Sequence, residues 1–167
     1  MITNRQLRDE FLEPQMQFYF ERKLAPLPSH EVLIRIEEAL KYLNMAHHCY
    51  GDVPVSVEID EVWHLWILET VEYKRLCDTL AGGVFLHHTS SDYALFVDPT
   101  TNNREIDPLT GIPILASYVM NYGPFTAERV RYWPLADRLV TALGGDLARF
   151  NALLQSPSSV PRPRELG

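Results

Sequence analysis

Cysteine is nearly absent from the chain: Cys49 and Cys77 are the only two in 167 residues. Two cysteines make no disulfide framework, so a reduced, cytoplasmic setting is the expectation. Long apolar runs are missing as well. No window approaches the roughly 18 consecutive apolar residues of a membrane span. The opening MITNRQLRDEF is too polar for a secretory signal. Positive charge is in deficit, with 15 Lys and Arg against 22 Asp and Glu and a net charge of −7. A surface that tracks phosphates needs a basic patch, so nucleic acid and anionic membrane are excluded as expected partners. Glycine is sparse at 8 residues, with no glycine-rich phosphate loop, and no Ser or Cys stands in a nucleophile elbow. What is present is an apolar fraction of 46%, ordinary for a soluble globule. The length suits one domain with a real core.

Helix signals run along most of the chain. Thr3 and Gln6 form a capping-box pair. Pro14 either kinks the first helix or opens a second one to about Lys23. APLPSH (25–30) is a linker, and Ser29 is a good N-cap for the next helix. Over 30–50, Val32, Leu33, Ile36, Ala39, Leu40, Leu43 and Tyr50 keep one apolar face, and Gly51 is the stop. Asp60 opens a helix to about Glu69, and Thr70 caps a continuation that ends at Gly82-Gly83. VFLHH (84–88) is short and β-prone. Residues 89–113, rich in Asp, Pro, Thr and Asn, read as a long loop, and ILASYVMNY (114–122) fits helix or strand. Thr126 starts a helix through Trp133, Pro134 restarts it toward Gly144, and Asp146 caps a last helix to about Leu154. Residues 156–167 have the composition of a frayed tail. The predicted fold is mainly α: a single helical-bundle-like domain over 1–155, with a long loop and short β insertion around 84–113.

Chemistry-bearing residues concentrate in 58–88, which holds three of the six histidines and two of the three tryptophans. Asp60 and His64 are spaced i, i+4, which puts carboxylate and imidazole on one helical face, roughly 6 Å apart at Cβ. The pair suits two ligands of one metal ion, or a carboxylate orienting a histidine. It equally suits a plain helix start, with Asp60 as N-cap and His64 as a bonded, half-buried histidine. His87 and His88 follow on an extended segment, where adjacent side chains point to opposite sides. One of them can therefore join Asp60 and His64. Two histidines and a carboxylate would suit Fe(II), or Zn(II) with an open position. The candidate metal ligands are Asp60, His64, His87 and His88, with His47 a fourth-ligand candidate from the preceding helix. Tyr73 and Glu61 are candidate acid/base or supporting groups. Trp63, Trp66 and Cys77 read as packing, with the wall of an apolar pocket as the other role for the tryptophans.

The order D-x-V-W-H…Y-x-x-x-C…G…L-H-H resembles the signature of the glycine-rich domain-containing protein-like family. The matching positions are Asp60, Val62, Trp63, His64, Leu68, Thr70, Tyr73, Cys77, Gly82 or Gly83, Leu86, His87 and His88. FTAERVRYW (125–133) is weakly similar to that family's closing helix. Trp66 stands where the family carries a second histidine, and TSSDYALFVDP replaces its aromatic-rich segment. The resemblance implies a helical domain with an internal His/Asp/Trp cluster.

Three functions are compatible with these residues. The first is a metal-dependent enzyme, using Fe(II) or Zn(II), that acts on a small-molecule substrate in a biosynthetic pathway. The catalytic set would be His64, Asp60 and Tyr73, with the 89–113 loop as lid. The second is a metal-free cyclase or isomerase with His64 as general base, oriented by Asp60. The third is a non-enzymatic helical interaction module in which the cluster is a structural polar network. A homodimer or a protein partner stays open in each.

Overall fold

A computed structural model describes residues 1–46, 55–88 and 108–156. Among these residues the chain forms eight α-helices, one 3-10 turn and no strand, so the mainly α expectation holds. The helices are α1 (Asn4–Phe11), α2 (Pro14–Lys23), α3 (Ser29–Ala46), α4 (Val57–Leu68), α5 (Thr70–Thr79), α6 (Pro108–Tyr122), α7 (Pro134–Ala142) and α8 (Leu147–Leu154). No helix among the described residues is long and apolar enough to cross a membrane.

Local chemistry accounts for several boundaries. The Thr3 hydroxyl accepts from the Gln6 N–H, and the Gln6 side chain accepts from the Thr3 N–H, closing the capping box. Pro14 occupies the first turn of α2, where its missing N–H removes no hydrogen bond. Asp146 caps α8 by accepting from the Arg149 N–H at 2.9 Å.

α3 is the central element and packs against α1, α2, α4 and α6. Val32, Ile36, Ala39, Leu40 and Leu43 are buried as the 3.6-residue pattern requires, while Leu33 is only half-buried and Ile34 is buried. Around them sit Leu7 and Phe20 from α1 and α2, Ile59, Val62 and Trp66 from α4, and Leu115 and Val119 from α6. Burying each such side chain contributes about 1.5–3 kcal/mol.

Four expectations are corrected. α4 begins at Val57 with Ser56 at the N-cap position, so Asp60 is the fourth residue of the helix and does not cap it. Residues 84–88 form no strand; a strand needs a partner for its ladder, and none among the described residues supplies one. The segment 108–113, read as loop, is the start of α6, which continues through Pro113 to Tyr122. Residues 126–133 form only turns and the 3-10 turn Val130–Tyr132. Pro134 keeps Trp133 out of the helical region (φ −121°, ψ 88°), which ends any helix before it lengthens. His47, Cys49, Gly51, the lid over 89–107 and the tail from 157 lie outside the described residues.

Candidate metal centre

α4 presents Asp60 and His64 one turn apart, on the same face, as their spacing requires. His64 Nδ1 lies 2.8 Å from the Asp60 carbonyl oxygen and 3.2 Å from Asp60 Oδ2. A carbonyl can only accept, so in this contact Nδ1 is the donor. α5 then runs away from the site and ends in a turn at Gly82 and Gly83, whose φ angles of 94° and 59° favour residues without a Cβ. That turn sends 84–88 back toward α4. His88 Nε2 comes within 3.1 Å of Asp60 Oδ1. The His64 and His88 rings have centroids 4.2 Å apart at 66°.

Asp60, His64 and His88 each offer a ligand atom, and these atoms lie within 4.8 Å of one another. The Asp60 and His64 side chains are 44% and 47% exposed, whereas His88 is 14% exposed. The cluster is therefore open to solvent on the α4 side and backed by protein behind His88.

The other candidates go elsewhere. His87 is exposed and packs edge-on against Phe85, with centroids 5.1 Å apart. Of the adjacent histidines only His88 reaches the cluster, because an extended segment alternates its side chains. Tyr73 is buried, and its hydroxyl is fully engaged. It donates to the Leu86 carbonyl and accepts from Trp63 Nε1 at 3.0 Å. Burial holds this hydroxyl well above its ordinary titration range, against the lowering effect of the Trp63 N–H. Glu61 lies 3.5 Å from Arg35 Nη1 on the surface, and Cys77 is buried on α5. Trp66 packs in the core against Phe20, while the Trp63 ring stands edge-on to His88 at 4.5 Å.

A second polar group lies in the core, and sequence reasoning missed it. Glu37, Glu38 and Lys41 of α3 are all buried. Glu38 Oε1 accepts from Lys41 Nζ at 2.7 Å and Arg129 Nη1 at 2.7 Å. Glu38 Oε2 accepts from the Tyr118 hydroxyl and Trp133 Nε1, each at 2.9 Å. Glu37 pairs with Arg129 and Arg8. Burial drives the Lys41 amine below its ordinary range although Glu38 favours its charge. Glutamates and a lysine on a helix read from sequence as a solvated face. Their partners Arg129 and Trp133 lie some ninety residues away in the sequence.

Compared with known proteins, the chain matches no family model, no curated protein and no solved structure.

Proposed function

We propose that the chain is a metal-dependent enzyme in which Asp60, His64 and His88 hold a divalent ion, Zn(II) or Fe(II), open to a small-molecule substrate of a biosynthetic pathway. The observation that carries this reading is the convergence of two imidazoles and one carboxylate within 4.8 Å. Metal bonds of about 2.0–2.2 Å at tetrahedral angles put neighbouring ligand atoms roughly 3.4 Å apart, so small side-chain rotations would close this group around an ion. Three described ligands also leave a position for water or substrate, whereas structural zinc sites use four protein ligands. The likeness of residues 60–88 to the glycine-rich domain-containing protein-like signature supports the same cluster.

A bound ion would act as a Lewis acid and lower the pKa of a water in its open position. The chain's own residues prepare that place. The Asp60 carbonyl fixes the His64 tautomer, as outer hydrogen bonds do for ligating histidines. The proton between His88 Nε2 and Asp60 Oδ1 must leave when an ion takes its place.

A second reading rests on the same hydrogen bonds. Asp60 contacts both imidazoles, which would orient His64 as the general base of a metal-free cyclase or isomerase. Metal content decides between the two. Protein purified without a histidine tag is expected to carry stoichiometric Zn or Fe, and His64→Ala to lose it while staying folded. A metal-free wild type whose turnover disappears in His64→Ala would support the second reading. A metal-free wild type that His64→Ala merely destabilises would leave a helical interaction module.

A further inference from the structure

The third ligand arrives on a segment with little to hold it. Among the described residues, 84–88 belongs to no helix or sheet and makes no backbone–backbone hydrogen bond. Two side chains hold it from behind. Tyr73 donates to the Leu86 carbonyl, two residues before His88, and packs its ring against Phe85 at 5.3 Å. Trp63 donates its indole N–H to the Tyr73 hydroxyl and lays its edge on the His88 ring. Trp63 itself is fixed from α3 by the Tyr42 ring at 5.7 Å.

We propose that Tyr73 and Trp63 are positioning residues for the metal centre: a hydrogen-bonded pair that sets the backbone at Leu86 and the ring of His88, so that the ligand group exists before the ion arrives. The proposal rests on the metal reading above. A tyrosine hydroxyl has one proton to donate and lone pairs to accept with, and here one bond of each kind links α4 to the ligand segment. A phenylalanine at 73 would keep the ring packed on Phe85 but leave the Trp63 N–H and the Leu86 carbonyl without their partner. Removing outer partners of metal ligands weakens ion binding by about 10- to 100-fold.

Co(II) serves as the probe, because its visible absorption reports ligand geometry. Affinity is read on folded full-length protein by competition with a chelator. Tyr73→Phe is expected to bind Co(II) about 10- to 100-fold more weakly than wild type, with an altered absorption band and an unchanged helical circular dichroism signal. Trp63→Phe, which keeps an aromatic ring but no N–H, is expected to lose less. Wild-type affinity and an unchanged band in Tyr73→Phe would overturn the positioning role and leave the metal reading intact. A lower urea midpoint with unaltered Co(II) binding would do the same, since that is what a purely structural tyrosine gives. If Tyr73→Phe fails to fold, Trp63→Phe carries the test, and wild-type binding by it overturns the proposal. If wild type and His64→Ala alike fail to bind Co(II), the metal reading falls and this inference with it.

Discussion

Asp60 and Glu38 are both carboxylates with several partners, yet they do opposite work. Asp60 is half-exposed and joins two histidines at the surface. Glu38 is wholly buried and takes four hydrogen bonds on two oxygens. An exposed pair contributes about 0–1 kcal/mol, whereas removing one partner of a buried ion group costs about 3–5 kcal/mol because the remaining charges stay uncompensated. Asp60→Asn is therefore expected to abolish metal binding and shift the urea midpoint only slightly. Glu38→Gln leaves the buried Lys41 without its anion and takes from Arg129 one of its two carboxylate partners, and is expected to destabilise the protein by about 3–5 kcal/mol. Equilibrium urea unfolding of the two isosteric variants checks the contrast. A destabilisation of Glu38→Gln no larger than that of Asp60→Asn would show that the buried network is dispensable.

The start of α3 is tied to the 3-10 turn through Glu31. Burial alone would raise the Glu31 carboxyl, but the Tyr132 hydroxyl, Arg131 and Arg35 outweigh it and hold the group below its ordinary value of 4.5. A carboxyl depressed in the folded state adds stability above its unfolded pKa and loses it as pH falls through the folded one. Wild-type stability is thus expected to drop on acidification below about pH 4.5. Glu31→Gln should start lower at neutral pH and fall less, as urea midpoints at both ends of that range would record. Elements whose boundaries rest on local chemistry were legible in the sequence: the capping box of α1 and the Asp146 cap of α8, while Pro14 was compatible with a kink as well as with the head of α2 that it forms. α6 was not, because its first turns are written in Pro, Thr and Gly, the composition of a loop. Pro108 in fact sits at the first helical position, where proline is well tolerated. Pro113 gives up a single main-chain bond, and the burial of Ile114, Leu115, Tyr118 and Val119 offsets it.

The candidate site and the buried network also differ in how far they reach along the chain. Asp60, His64 and His88 fall within one stretch, so residue type and helical spacing already brought the first two together. The choice of His88 over His87 needed the turn at Gly82-Gly83 and could not be read from alternation alone. The network joins α1, α3, α6 and the 126–133 turns, and nothing local announces it. An ion that binds only the folded state stabilises the whole molecule by about 2.7 kcal/mol at a hundredfold excess over Kd. For a chain of this size that corresponds to a rise in Tm of roughly 5–10 °C. Thermal unfolding with and without Zn(II) should show this rise in wild type and none in His64→Ala.

The edge-on contact of Trp63 with His88 has an optical side. Of the three tryptophans, Trp66 and Trp133 are sealed in the core, and among the described residues Trp63 is the one whose ring meets a candidate ligand ring. An indole lit at that place is a lamp hung beside the proposed ion site, and a paramagnetic metal bound there would dim this emitter before the other two. If an ion is held there as proposed, Trp63 would serve as the protein's own chromophore for occupancy.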